Sequence, residues 1–172
     1  MDCQAAWDDH ELYLRISVKD ERHVQGQPTP AMWKEDSVRI ALNPDRDTFL
    51  YDMHSWWYIW GGYRGCELEF GVSLDDDVTN LYVAVTPEDL PEDMKPESLI
   101  RATARRHKPY TVYEMAIDWR LVPGFKPARE RSLGLWLVVN DADKGELVSA
   151  EYGNSVNRVK RPTGFSAIRL VD

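Results

Sequence analysis

An antiparallel β-sandwich is the fold class this sequence predicts, and three observations predict it. From Glu11 to Lys19 the even positions are Leu12, Leu14, Ile16 and Val18, and the odd ones are Glu11, Tyr13, Arg15, Ser17 and Lys19. Such strict alternation puts one face of a strand in a core and the other in water. Val38, Ile40 and Leu42 repeat the pattern after a loop holding Pro28 and Pro30. Half-buried strands of this kind belong to antiparallel sheets rather than to an α/β core. Further short runs of the same character follow, separated by Gly, Pro, Asn and Asp, which is how a sandwich reads in sequence.

Taken in order, the first strand is Glu11–Lys19 and the second runs through Val38–Leu42. Cys66–Leu74 sets Leu68, Phe70, Val72 and Leu74 on one face, and Asp75-Asp76-Asp77 ends it. Leu81–Val85 is short and rich in strand formers. Ile100–Ala104 alternates small apolar residues with Arg101 and Thr103, and Val112–Asp118 places Tyr113, Met115 and Ile117 together. Leu133–Val139 interleaves Leu133, Leu135, Leu137 and Val139 with Gly134, Trp136 and Val138, so both of its faces are expected to be covered. Ser166–Val171 closes the chain with Ile168 and Leu170. Trp7, Trp119 and Trp136 sit in strand-like surroundings and are expected in the core. Helix is scarce. Pro87–Met94 has Pro first and carboxylates in its first turn, which suits a helix N-terminus, and Asp118–Val122 reads as a short turn that Pro123 and Gly124 end.

With 172 residues the chain is most simply one domain, 1–172, large enough for a full core. A net charge of −8 argues against nucleic-acid binding, since phosphate backbones need a basic surface. The basic run from Arg101 to Lys108 is read as a solvated strand face. No apolar run is long enough to span a membrane. The N-terminus shows no charged stretch followed by an apolar one, so no signal peptide is visible, and the chain reads as cytoplasmic or as an excised domain. Cys3 and Cys66 form one disulfide or none, and neither has metal-site spacing.

Three places have residues suited to binding. Between Phe49 and Tyr63 stand seven aromatics, Phe49, Tyr51, Trp56, Trp57, Tyr58, Trp60 and Tyr63, with Asp52, His54 and Arg64 beside them. Sugars offer C–H faces that pack on aromatic rings and hydroxyls that need planar polar partners, so this loop suits a sugar. The same rings also suit the cap of a sandwich end or a protein interface. Asn140-Asp141-Ala142-Asp143-Lys144-Gly145-Glu146 offers oxygens at alternate positions followed by Gly, which fits a calcium turn or a plain hairpin. Catalytic patterns are absent. The carboxylate pairs Asp8-Asp9 and Asp76-Asp77 are adjacent and so point apart on a strand, the four histidines match no zinc spacing, and no nucleophile elbow or phosphate loop occurs.

Trp7-Asp8-Asp9-His10-Glu11-Leu12-Tyr13-Leu14, then Val18-Lys19-Asp20, then Trp33-Lys34-Glu35-Asp36-Ser37-Val38-Arg39-Ile40, resemble in order the "W-D-x-x-x-L-Y-L", "V-x-D" and "W-x-x-D-S-V-x-I" of the family 9 carbohydrate-binding modules. Glu114–Trp119, Leu133–Asp143 and Pro162–Leu170 are similar to that family's later "E-x-x-I-P-W", "L-G-x-x-x-x-V-N-D-x-D" and "P-x-x-F-G-x-L-x-L" segments, with Ser166 in the usual Gly place. The resemblance implies a sandwich of two antiparallel sheets, jelly-roll-like, with at most one or two short helical turns, and sugar binding without catalysis. Family members usually begin with a further segment containing "I-D-G-x-x-D-E-x-W", so the loss of an N-terminal strand is expected. They sandwich a terminal sugar between two tryptophans. Trp33 fits the first. Where the second would stand, this chain has Arg158-Val159-Lys160-Arg161, and where the family can place a carboxylate it has Arg39.

The reading that results is a non-catalytic carbohydrate-binding module, an accessory domain of a polysaccharide-degrading protein related to xylanases and other glycoside hydrolases. Its carbohydrate-binding residues are expected to be Trp33, Arg39, Trp56, Trp57, Trp60 and Arg64, with the two cations favouring acidic sugars such as uronates. Asp141 and Asp143 are expected to hold a structural calcium, as the family does; no other cofactor is called for. The partner is an oligosaccharide or polysaccharide, not nucleic acid or membrane, together with other domains of a larger protein. Location would be extracellular or periplasmic if that protein is secreted. Two other classes stay open: a structural or protein-interaction sandwich that has lost sugar binding, and a haem-binding relative. For the last, Met53 and His54 are adjacent and cannot serve as opposite axial ligands from one strand.

Overall fold

Alternation of apolar side chains builds two antiparallel sheets that bury their alternating faces against each other. A computed structural model describes residues 1–44, 62–143, 146–153 and 162–171. Its strands are β1 (Asp2–Trp7), β2 (Glu11–Lys19), β3 (Ser37–Asn43), β4 (Leu68–Asp75), β5 (Val78–Val85), β6 (Ile100–His107), β7 (Tyr110–Asp118), β8 (Ser132–Asp143), β9 (Glu146–Tyr152) and β10 (Ser166–Arg169). One sheet has four strands in the order β1-β2-β7-β6. The other has six, ordered β10-β8-β3-β4-β5 with β9 also on β8. The edge of β8 is divided: β10 pairs with Ser132–Leu135 and β9 with Leu137–Asp143.

Register carries the expected core across each sheet. In the smaller sheet Leu12, Leu14 and Ile16 lie opposite Ile117, Met115 and Tyr113. In the larger one Ile40 sits between Phe70 and Leu137. These residues, with Val38, Leu42 and Leu135, are buried, and Val18 is partly buried against them. Trp119 is buried in this core and Trp7 packs at its edge. β8 is covered on both faces as its composition requires. Its Trp136 and Val138 join Ala41 and Phe165 in a second apolar cluster on the outer side of the six-stranded sheet.

Several expectations need correction. β1 and β9 have no buried alternation and were not legible; both lie at sheet margins with nearly every residue exposed. β6 continues to His107, so most of the basic run is strand: Arg101, Arg105 and His107 are exposed, while Arg106 turns in to Asp20. Pro87–Met94 forms turns rather than helix, too short between β5 and β6 to close an α-helical ladder. Among the described residues helix is limited to four 3-10 turns, Thr29–Lys34, Pro96–Leu99, Trp119–Leu121 and Pro162–Gly164, where one or two short turns were expected. The expected turn after Asp118 is present, and the Asp118 carboxylate caps it by accepting the Arg120 N–H. Cys3 and Cys66 are not joined in a disulfide.

Charged groups tie the strand ends together. The Asp8 carboxylate accepts the N–H groups of His10 and Glu11 at 2.7 and 2.8 Å and the Tyr13 hydroxyl at 2.8 Å, closing the β1–β2 turn. Arg101 forks the Glu11 carboxylate at 2.6 and 2.7 Å. These bonds hold the Asp8 carboxyl low, first through His10 N–H, that of Glu11 low, first through Arg101, and that of Asp118 low, first through Arg120.

Leu14→Ala or Ile40→Ala should each destabilise the fold by about 2–5 kcal/mol in chemical denaturation, because each leaves a cavity between the sheets. The three carboxyls titrate lower in the folded chain than in the unfolded one. Their contribution is therefore present above the ordinary carboxylate range and is lost as pH falls through their folded values. Thermal midpoints measured from neutral pH downward should fall in that acid range, and the fall should shrink in Asp8→Asn combined with Glu11→Gln.

Candidate functional site

The outer face of the six-stranded sheet is where aromatic and polar side chains converge. The turn Thr29–Lys34 packs across β3, β4 and β5. Its start is set by Pro28 and Pro30, whose fixed backbone angle suits the first positions of a helical turn. Met32 is buried beneath it, and its sulfur lies over Gly71: a Cβ on Gly71 would come within 2.9 Å of Met32 Sδ. Glycine at position 71 thus lets the turn sit down on the sheet. Trp33, next along, is turned outward and 45% exposed, with the Lys34 ammonium 5.6 Å from its ring centre.

Register then lines up Arg39, Gly71 and Tyr82 as direct neighbours across β3, β4 and β5. Trp33, Arg39, Glu69, Gly71 and Tyr82 line one cavity of about 160 Å³. Arg39 does face away from the core, but it is not an open cation. Its guanidinium pairs with Glu69, whose side chain is 0% exposed, and lies 5.3 Å from the ring centre of buried Trp136. The other oxygen of Glu69 accepts the Tyr63 hydroxyl at 2.5 Å. Burial and then the Glu69 charge push the Tyr63 phenol well above its usual range, so it remains a donor. Beside this pair the Trp136 indole N–H donates to Glu151. Glu67, also buried, accepts the Arg64 N–H at 2.7 Å, and its second oxygen has no partner among the described residues.

Of the residues selected from sequence, Trp33 and Arg39 therefore share a site. Arg64 donates its backbone N–H to Glu67 and is not among the residues lining the cavity. Trp56, Trp57 and Trp60 lie outside the described residues. Sequence reasoning missed Glu69 and Tyr82, and had Tyr63 only as the last ring of the aromatic stretch. Glu69 and Tyr82 carried one available signal, since both sit at the outward phase of strands whose other phase is apolar. A larger hollow, about 570 Å³, lies on the outer face of the four-stranded sheet. It is a shallow trough floored by Ala6 and Ala116, and the charges around it are spent on each other as Arg101–Glu11 and Arg15–Glu114.

A second cluster gathers Asp141 and Asp143 with residues distant in sequence. Oxygens of Asp20, Asp141 and Asp143 lie within 4.8 Å of one another, as do the ligand atoms of Asp20, His23 and Asp36. The hairpin expected here is present, with Asp143 opposite Glu146. Asp36 accepts the N–H groups of Val24 and Ala142 at 2.5 and 2.8 Å, and Arg106 donates to Asp20 at 2.8 Å. His23 Nε2 donates to the Leu74 carbonyl at 2.6 Å, leaving Nδ1 3.3 Å from Asp36 Oδ2. Burial raises the Asp36 and Asp141 carboxyls, and neighbouring carboxylates raise Asp141 further. Asp141 Oδ1 is buried without a hydrogen-bond partner among the described residues. Crowded carboxylate oxygens, one of them unmatched by any described donor, fit a hard cation such as calcium.

The carbohydrate family 9 binding domain-like family matches residues 2–155. No curated protein matches the chain. Among solved structures, a carbohydrate-binding module of family 9 from Caldicellulosiruptor kristjanssonii in complex with cellotriose is similar at TM-score 0.68 and 20% identity, over 98% of this chain and 73% of that one. Another, described as the family 9 module from the same organism in complex with glucose, is similar at TM-score 0.68 and 20% identity, over 98% and 74%. At that identity the likeness is one of fold, and the fold is the two-sheet sandwich found here. Because the family match runs through every strand from β1 to β9, the chain belongs to the carbohydrate family 9 binding domain-like family.

Proposed function

We propose that the protein is a non-catalytic carbohydrate-binding module whose sugar site is the cavity between the Thr29–Lys34 turn and the outer face of β3, β4 and β5. The observation that carries this is Trp33: an indole 45% exposed, held by a buried neighbour on a rigid sheet beside planar polar groups. A sugar ring can stack its C–H face on Trp33 while its hydroxyls meet Arg39 and Lys34. The similar modules described in complex with cellotriose and glucose support the ligand class. Hydrolysis is not what Glu69 is arranged for, because its carboxylate is engaged by Arg39 and Tyr63. We read the module as an accessory domain of a secreted polysaccharide-degrading protein, with Trp56, Trp57 and Trp60 as further candidates for contact.

The charge preference reverses from that expected of two cations. Arg39 is compensated by Glu69, so an added carboxylate would compete with Glu69 for one guanidinium. A neutral sugar leaves that pair intact. A protein-interaction reading has one observation in its favour: Leu147, Val148 and Tyr152 are exposed on β9. It lacks a recessed polar site, which Trp33 and Arg39 supply.

We propose that a calcium ion is held by Asp20, Asp141 and Asp143, next to Asp36. Bound there, it would neutralise carboxylates that burial and mutual repulsion disfavour. It would also pin the end of β2 and the approach to β3 to the end of β8. Its role is structural, since the cluster is separate from the residues lining the sugar cavity.

Calorimetry against neutral and acidic oligosaccharides should show neutral sugars bound with micromolar to millimolar dissociation constants, about 4–8 kcal/mol. Uronates should bind more weakly, and Trp33→Ala should abolish the heat. No heat with any sugar, or binding that survives loss of Trp33, would favour the interaction reading. Calcium should raise the melting midpoint and a chelator should lower it, by about 2.7 kcal/mol of stability at a hundredfold excess over the dissociation constant. Asp141→Asn with Asp143→Asn should remove that response; an unchanged midpoint in the wild type would leave the hairpin without a metal.

A further inference from the structure

The loop that joins β2 to β3 carries the Thr29–Lys34 turn, and its two ends meet at one imidazole. Asp20 follows β2 and Asp36 precedes β3; their side chains are 5% and 6% exposed, and that of His23 is 15% exposed. His23 Nε2 lies 2.6 Å from the Leu74 carbonyl, which only accepts, so Nε2 carries the ring proton. Nδ1 is then left with its lone pair, 3.3 Å from Asp36 Oδ2 and 3.8 Å from Asp20 Oδ2. A lone pair beside two carboxylates is repulsive, and something positive must stand among them. A second ring proton is one answer. It meets no hydrogen-bond geometry, since Nδ1 is buried without a partner among the described residues. We propose that His23 Nδ1, Asp20 and Asp36 bind a divalent ion of the zinc type, at a position distinct from the calcium at Asp141 and Asp143.

Ligand type separates the two positions. Calcium is a hard ion that collects oxygens, whereas an imidazole nitrogen suits zinc and its neighbours among the transition metals. Ligands held by zinc at about 2.0–2.1 Å in a tetrahedron stand about 3.4 Å from one another, and Nδ1 and Asp36 Oδ2 are already 3.3 Å apart. The three ligand atoms all lie within 4.8 Å of one another, so small side-chain movements close them on an ion. The outer contacts are those of a ligating histidine. Its other ring N–H is given to a backbone carbonyl, which fixes both tautomer and ring orientation, and Asp36 is steadied by the N–H groups of Val24 and Ala142. Charge leaves room for a second cation. Asp20, Asp36, Asp141 and Asp143 crowd this corner while Arg106 is paired with Asp20, so one calcium ion does not neutralise it. An ion here would clamp the two ends of the loop that bears Trp33.

The test uses the whole chain, saturated with calcium and then titrated with zinc, or with cobalt(II) as its coloured substitute. Zinc should raise the melting midpoint beyond the value in calcium alone, and cobalt should show the visible bands of an ion bound by nitrogen and oxygen. In the wild type, the nitrogen NMR resonance of His23 Nδ1 should move to a metal-bound shift while Nε2 stays protonated, a readout independent of any variant's folding. His23→Gln should weaken zinc binding about a hundredfold and keep the calcium response. Asp141→Asn with Asp143→Asn should lose the calcium response and keep the zinc one. If Nδ1 is protonated and unmoved at saturating zinc, the ring is an imidazolium paired with the two aspartates and the inference falls. It falls equally if His23→Gln binds zinc as the wild type does, or if calcium displaces the zinc entirely, since the ion then sits on carboxylates or on another histidine. The sugar reading can fail without touching this result, because no sugar enters the measurement.

Discussion

Glu69 is an ionisable side chain with no solvent exposure on the side of a sheet that alternation assigns to water. A carboxylate so placed must be met by a cation and by donors, or it destabilises the fold by several kcal/mol. Arg39 and Tyr63 meet it. That requirement shapes its surroundings. Arg39 lies over Trp136, whose indole is buried in the outer apolar cluster with Ala41, Val138 and Phe165 rather than in the inner core. The requirement orders the Tyr63 end of the segment entering β4. It also leaves Arg39 with little net charge to offer, so the site presents directional donors instead of a positive field. Such donors suit hydroxyls, whose bonds replace bonds to water at small net gain.

The aromatic part of the site depends on a different constraint, the height at which the Thr29–Lys34 turn rides over the sheet. Met32 and Gly71 set that height by direct contact. Trp33 is then carried outward while its neighbour is buried, as a short 3-10 turn does with successive residues. Rigidity here matters for a weak ligand, because a platform that is already in place spends little of the small stacking energy on ordering itself. The carboxylate cluster serves the opposite side of β3. Asp36, one residue before the strand, accepts two backbone N–H groups from segments on either side of it, and the cation proposed beside it would hold the same strand whose Arg39 lines the cavity.

Alternation by itself determined the sandwich. Leu12, Leu14 and Ile16, or Val38, Ile40 and Leu42, can bury one face only by pairing in register with strands of the same kind, and the period of two leaves no other phase. The outward direction of Arg39 was also legible from its phase within a strand, while Trp33 was singled out only by the family resemblance. The Asp141–Asp143 turn could be read as oxygen-rich. What only the tertiary structure decided is which residues meet. Asp20, Asp36 and Asp141 belong to three separate segments, and no spacing links them until β2, β3 and β8 are assembled. Glu69 reads as an ordinary wet-face carboxylate until Arg39 is seen on the neighbouring strand; that pairing cancels the positive charge that Arg39 alone would give the cavity. Tyr82 looks like one more strand former until register sets it beside Gly71. β1 and β9 escaped notice for a related reason: edge strands held by one neighbour's backbone bonds need no buried face, so their sequences hold no alternation to find.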